Sequence, residues 1–156
     1  MLVPLYLDTG GALHAVFTER RADLRRHAGE ISFPGGRRDD EDPDLCATAL
    51  RETHEEIGLP PGAVELLGAL QPTPTFATDY AIYPFVGLIE RGFEWVLEEA
   101  EVGRVLELPL ESLRQGYARR RLVRRGIPFR TDTYEADGHL IWGATARIVA
   151  DLLERV

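Results

Sequence analysis

Apolar and polar positions change period several times along this chain, and each change marks an element. Residues 2–7, LVPLYL, form a nearly continuous apolar run before Thr9-Gly10-Gly11, which predicts a strand and a turn. A second strand is expected over Leu13–Thr18. From 43 to 57 the period becomes helical: Cys46, Ala49, Leu50, Thr53 and Ile57 share one face, and Glu52, Glu55 and Glu56 share a roughly opposite one. Asp42 is the expected N-cap, Pro43 the first helical residue and Gly58 the terminator. Pro60-Pro61-Gly62 breaks the chain, Val64–Leu70 reads as a strand, and 71–79 is a loop by composition. Ala81–Ile89 is an apolar strand that Pro84 pushes to an edge or bulge. Val102–Leu108 is a further strand, and Leu110–Arg114 a helical turn. Residues 117–124 and 127–135 make a hairpin turning near Gly126. A turn at 136–139 leads to a closing helix over 143–155, with Ala146, Val149, Ala150 and Leu153 facing inward. The order of elements predicts an α/β fold: a mixed sheet with helices packed on it.

The acidic face of the 43–57 helix is costly by itself. Glu52 and Glu56 are like charges at i,i+4, which destabilises a helix by roughly 0.2–0.5 kcal/mol. Glu55 and Glu56 fall in the last turn, against the negative end of the helix dipole. Arg51 is positioned to pair with Glu55 at i,i+4 but cannot neutralise all three acids. A solvated acidic face is the simplest account of such a cluster. A hard divalent cation, bound with a phosphate as further ligand, is the functional one. Phe33-Pro34-Gly35-Gly36 adds to the second account. It reads as a strand end entering a tight turn where the backbone can approach a metal or phosphate closely.

Composition narrows the classes. The 156 residues are most simply one domain, 1–156, with 28% charged and 44% hydrophobic residues, as in ordinary globular proteins. No apolar run is long enough to span a bilayer, no signal peptide is visible, and the cytoplasm is the expected location. Cys46 is the lone cysteine, on the apolar face, and reads as a small core residue. All 18 basic residues are arginine. The net charge of −8 is unevenly spread. Residues 20–38 hold six arginines against Asp23 and Glu30, while 39–56 hold eight acids against Arg51. A phosphate-rich substrate, gripped by arginine and bridged to carboxylates by a cation, needs that juxtaposition. A third block, 114–130, has seven arginines and no acid, and reads first as a solvated hairpin. The overall acidity argues against nonspecific nucleic-acid binding.

The segment Gly36–Leu59 resembles the Nudix signature, G-x5-E-x7-R-E-U-x-E-E-x-G-U. Arg51-Glu52-Thr53-His54-Glu55-Glu56-Ile57-Gly58-Leu59 matches its second half, with Thr53 at an aliphatic position. The first half is one residue longer than the general pattern, and Asp42 stands where glutamate is usual. Both features resemble the coenzyme A pyrophosphatase branch of the family. Residues 16–36, VFTERRADLRRHAGEISFPGG, are similar to that branch's additional motif through Thr18, Arg20, Leu24, Arg25, His27, Gly29 and Phe33-Pro34-Gly35-Gly36; Arg21 replaces its usual serine. Residues 141–148, IWGATARI, look like the family's closing-helix start.

The resemblance implies a Nudix-type α/β/α sandwich with a mixed β-sheet, and a pyrophosphohydrolase using Mg²⁺ or Mn²⁺. It implies coenzyme A or its derivatives as substrate, with 3′,5′-ADP and 4′-phosphopantetheine as products. Carried over from the box, Glu52, Glu55, Glu56 and the Gly36 carbonyl are metal ligands, with Glu55 a ligand or the general base and Arg51 its orienting partner. Gly35, Gly36, Arg20, Arg25 and His27 are the expected substrate contacts. Some members take the base from a loop outside the box, where Glu98, Glu99 and Glu101 are candidates and Glu101 leads. Arg104 stands where the family often has a further acid. Phe76, Tyr80 and Tyr83 are candidates for stacking on adenine, Tyr83 being expected in the core; His14, His54 and His139 read as solvated or structural. The expected partners are a small nucleotide substrate, no membrane, no nucleic acid and, by resemblance alone, a second copy in a homodimer. Hydrolysis of ADP-ribose or another nucleoside diphosphate derivative is the first alternative. A non-catalytic nucleotide-binding regulator is the second.

Overall fold

Two strands with both faces covered organise the molecule. In the computed structural model, which describes residues 1–76 and 78–156, β1 (Leu2–Leu7) pairs antiparallel with β2 (Leu13–Arg20). Alternation then divides their side chains between two cores. Val3, Leu5, Ala15 and Phe17 point to one, and Leu2, Tyr6 and Val16 to the other. Being apolar on both faces is what made β1 legible as a continuous hydrophobic run.

The sheet is mixed. β1 pairs parallel with β7 (Phe85–Leu88), and β4 (Glu65–Ala69) pairs antiparallel with β7. β2 carries β8 (Val102–Pro109) along one edge and the short β3 (Ile31–Ser32) near its end, both antiparallel. Helix α1 (Leu45–Ile57) packs on one face through Ala49 and Ile57, beside Leu2, Tyr6 and Val16. Helices α2 (Leu110–Gln115) and α3 (Gly143–Arg155) cover the other. The result is an α/β/α sandwich. A separate antiparallel sheet joins β9 (Tyr117–Arg124), β10 (Ile127–Ala136) and β11 (His139–Ile141). No helix is long and apolar enough to cross a membrane among the described residues.

Several expectations need correction. Helix α1 starts at Leu45 rather than Pro43, and its N-cap is Asp44, whose Oδ1 accepts the Ala47 N–H at 2.8 Å. Asp42 is buried instead, with its carboxylate committed to Arg51 and Thr48. The expected strand 81–89 divides at Pro84, which has no N–H to give a ladder. Its first part is β6 (Ala81–Ile82), paired with β5 (Thr73–Pro74) inside the expected loop 71–79. Ala77, in that same loop, lies outside the described residues. Tyr83 sits between β6 and β7 and is 45% exposed, so it is not a core residue. In α3 Ala146, Val149 and Leu153 are buried as the period required, Ala150 is partly so, and Ile148 and Leu152 join them.

The end of α1 is locked to the chain before β8. Val96 donates its N–H to the Ile57 carbonyl at 3.0 Å, and Glu98 to that of Glu56 at 2.8 Å, satisfying carbonyls a helix terminus leaves open. Gly58 makes the turn at φ +77°, and a Cβ there would meet the Val96 Cβ at 2.8 Å. Gly58→Ala is expected to cost more than the roughly 1–2 kcal/mol of a left-handed alanine alone. Urea unfolding would show this as a lower midpoint with an unchanged slope.

Candidate active site

Three elements meet at the carboxylates of α1. The helix is anchored by Ala49, Thr53 and Ile57, each fully buried, so the opposite face must turn outward. Thr53 tolerates this position because its hydroxyl donates to the Ala49 carbonyl at 2.7 Å, leaving no unsatisfied buried polar atom. Beyond β3 the chain runs beside β1, with the Leu2 N–H on the Pro34 carbonyl at 2.9 Å. That brings Gly35 and Gly36 against the helix. The Gly35 N–H donates to Glu56 Oε2 at 3.1 Å. At Gly36 an added Cβ would lie 2.4 Å from Glu52 Cδ, so a side chain here would push the Glu52 carboxylate away from the backbone. The third element is the chain leading into β8, which carries Glu101.

These carboxylates are held under electrostatic stress. Burial, a backbone N–H from Gly35 acting against it, and the nearby charges of Glu52 and Glu101 together push the Glu56 carboxyl up to about 7. Glu52 is also raised, by burial first, with Arg51 opposing and Glu55 and Glu101 adding repulsion. Arg51 is the organising cation. Its Nε and Nη2 bind the two oxygens of Asp42 at 2.8 and 2.9 Å, a bidentate fork. Its Nη1 reaches Glu55 at 3.1 and 3.2 Å and Glu52 at 3.2 Å, and its Nη2 also donates to the Arg37 carbonyl at 3.1 Å. Asp42 was the partner that sequence reasoning missed. It lies nine positions away, off the helical face where partners of Arg51 are sought.

The expected substrate residues separate into two groups. Arg20, at the end of β2, lies close enough for its charge to stabilise ionised Glu56, and its Nε is buried without a hydrogen-bond partner among the described residues. Arg25 and His27 stand on the exposed loop that follows, where His27 Nδ1 meets Glu30 Oε2 at 2.7 Å. Glu55 is exposed and turned onto Arg51. Among the outside acids, Glu101 alone adds its charge to both Glu52 and Glu56. Glu98 accepts the Ala100 N–H at 3.2 Å, and Arg21 bonds the Glu99 carbonyl at 2.7 Å, so both belong to the folding of that loop. Arg104 pairs with Glu19 across the strands at 2.6 Å and brings no acid to the cluster. Tyr80 is stacked under Arg37 and Phe76 under Arg147, each at 4.8 Å. His14 stacks on Tyr6, His139 lies 4.0 Å from Glu19, and His54 is exposed.

A divalent cation suits this donor set. Hard oxygens converge on a glycine cradle, and two of the carboxylates are desolvated in a way that a positive charge would relieve. Among the described residues no three acidic, histidine or cysteine side chains already meet at one point as a finished site. Glu55, held by Arg51, is the member that stands aside.

Comparison with known proteins identifies the architecture. The NUDIX domain profile matches residues 2–125. The chain belongs to the Nudix family. The Nudix hydrolases described as uncharacterized NudL in Citrobacter koseri and Cronobacter sakazakii are 40% and 41% identical to it over 139 residues, spanning 88% of this chain and 72% of each relative. Among solved structures, the NUDIX domain of Shewanella oneidensis NrtR complexed with ADP ribose superposes with a TM-score of 0.61 at 16% identity, over 99% of this chain and 84% of that one. A C. elegans Ap4A hydrolase binary complex gives 0.59 at 18%, over 70% and 78%. At those identities the structures establish the shared fold. Family membership makes the chain a Nudix pyrophosphohydrolase, and the family works on small nucleotide substrates with divalent cations such as Mg²⁺ or Mn²⁺.

Proposed function

We propose that this Nudix hydrolase cleaves the pyrophosphate bond of coenzyme A or its thioesters, giving 3′,5′-ADP and 4′-phosphopantetheine or its acyl form. The observation that supports this most is Arg20. It ends the stretch of β2 that opens the coenzyme A-type motif, and its buried Nε has no partner among the described residues while its charge acts on Glu56. A guanidinium left this way next to a carboxylate cluster suits a phosphate oxygen, which supplies the missing acceptor.

Glu52, Glu56 and the Gly36 carbonyl would hold Mg²⁺ or Mn²⁺, with Glu55 as a further ligand. When bound, the cation supplies charge neutralisation at the pyrophosphate and acidifies the attacking water. The protein's own work is positional. Gly35 donates to Glu56 and fixes its carboxylate, and Arg51, clamped by Asp42, holds Glu55 and Glu52 in register. Glu55 and Glu101 are the two candidates for receiving the proton of the water. Arg25 and His27 stand on the loop where the rest of the substrate would extend.

ADP-ribose is the second reading, supported by the NrtR domain, which carries that ligand and matches nearly the whole chain. A product assay with Mn²⁺ or Mg²⁺ separates the readings. The panel is coenzyme A, dephospho-coenzyme A, ADP-ribose, NADH and a diadenosine polyphosphate, with Glu56→Gln as the control. Coenzyme A giving 3′,5′-ADP with the highest kcat/KM supports the first reading. Faster release of AMP from ADP-ribose replaces it with the second. Nucleotide binding with no turnover of any substrate would make the protein a non-catalytic regulator.

A further inference from the structure

The arginine hairpin is not used by the chemistry described so far. Its register separates its arginines by face. Leu122 pairs with Phe129 and Arg124 with Ile127, so Leu122, Arg124 and Phe129 share one side; Arg121 pairs with Arg130 on the other. On the first side Trp142, from the start of α3, comes up against the hairpin. The Arg124 guanidinium lies 5.6 Å over the Trp142 ring, and the Phe129 ring is 6.0 Å from it. Together with Leu122, Leu140 and Glu30 they line an open cleft of about 280 Å³.

Three features of this cleft point to a ligand of one kind. It brings together two half-buried aromatic rings, Phe129 and Trp142, the class of group on which a nucleobase stacks. It offers an arginine, Arg124, that makes no ion pair with a carboxylate among the described residues. The one acid on its wall, Glu30, is already engaged by His27 at 2.7 Å. It also borders the proposed pyrophosphate site. The Arg20 N–H donates to the Glu30 carbonyl at 3.0 Å, and the Gly29 N–H to the Arg20 carbonyl at 3.2 Å. The loop carrying Arg25 and His27 therefore has the cleft at one side and Arg20 at its root.

We propose that this cleft takes the adenosine 3′-phosphate end of the substrate, its base against Trp142 and Phe129 and its 3′-phosphate on Arg124. The inference rests on the coenzyme A reading, because ADP-ribose and dephospho-coenzyme A lack that phosphate. It gives the arginine hairpin a part in specificity while the pyrophosphate is held by Arg20.

The test compares coenzyme A with dephospho-coenzyme A in the wild type, in Arg124→Gln and in Arg121→Gln. The wild type is expected to prefer coenzyme A. Arg124→Gln should lower kcat/KM for coenzyme A by about tenfold, the worth of one charge-assisted contact, and leave dephospho-coenzyme A within about twofold. Arg121→Gln, on the opposite face, should leave both unchanged. A second readout needs no turnover: in a Trp95→Phe background, 3′,5′-ADP should quench the remaining Trp142 fluorescence more tightly than AMP does. Equal losses for both substrates in Arg124→Gln, or no loss for either, overturns the inference while coenzyme A cleavage stands. A wild type that cleaves ADP-ribose and leaves coenzyme A intact overturns the underlying reading, and this inference with it, before any variant is compared.

Discussion

Replacing Glu56 by glutamine is expected to lower kcat by on the order of 10³-fold and, at the same time, to stabilise the metal-free protein at pH 8. The two effects share one cause. Burial, with repulsion from Glu52 and Glu101, pushes the Glu56 carboxyl up to about 7, against about 4.3 in an unfolded chain. Between those values the native state holds a proton that the unfolded state has released. Stability is therefore fully present below about pH 4, falls as pH rises, and levels off above about pH 7. The total is about 4 kcal/mol for a shift of this size. Glutamine carries no charge to desolvate, and its Oε1 can still accept the Gly35 N–H that now lies 3.1 Å from Glu56. Thermal unfolding in chelator should show the variant gaining on the wild type from pH 5 to pH 8. Adding Mn²⁺ should raise the wild-type Tm and leave the variant's where it is. A variant less stable than wild type at pH 8, or a gap that ignores pH, would show that the carboxylate is not under the stress described.

That trade also explains why this helix was the most readable part of the chain. An acidic triplet whose members repel each other, at the end of a helix ending in glycine, contradicts local stability, and such contradictions collect at functional sites. The pattern gave the carboxylates, their face and the terminator at Gly58, because each depends on residues within a few positions. It failed where the deciding partner was remote. Asp42 and Asp44 are equally good N-caps by type, and Pro43 favoured the first. Arg51, folded back over the helix start, claims Asp42 and leaves the cap to Asp44. Pro84 was seen as an interruption, yet pairing β6 with β5 across the 71–79 loop depends on two-residue strands that carry no period of their own. The isolated Nε of Arg20 is likewise invisible in sequence. The spacing names an arginine, but only the folded structure shows that its Nε is buried and without an acceptor among the described residues. For the hairpin, strand alternation sorts Arg124 from Arg121. Trp142 reaches Arg124 because β11 turns α3 back beside β10, a matter of topology.

Asp42→Asn is expected to lower kcat/KM about 10- to 100-fold without touching substrate, the usual effect of loosening a residue that orients ligands. The Asp42 carboxylate accepts from both sides of the Arg51 fork, from the Thr48 hydroxyl at 2.9 Å and from the Asp39 N–H at 2.9 Å. Arg51 and these donors hold its carboxyl well below the usual carboxylate range. Arg51 in turn is held in its charged form, by Asp42 above all. Removing the negative charge frees the guanidinium to swing fully onto Glu52 and Glu55, which it already touches. An arginine bound there competes with a cation for the same oxygens. The loss should therefore fall on metal dependence: the Mn²⁺ concentration for half-maximal rate should rise, with the rate at saturating Mn²⁺ partly restored. Stability gives an independent check with a definite sign. A depressed carboxyl stabilises the fold at every pH above its unfolded value and loses that contribution only as pH falls below about 4. Wild type should hold a constant Tm advantage over Asp42→Asn from pH 5 to pH 8, and the gap should close in stronger acid. A variant with lowered Tm and unchanged Mn²⁺ dependence would make Asp42 a strut for the helix start. A shifted Mn²⁺ dependence assigns it the second task of keeping Arg51 away from the oxygens that a cation needs.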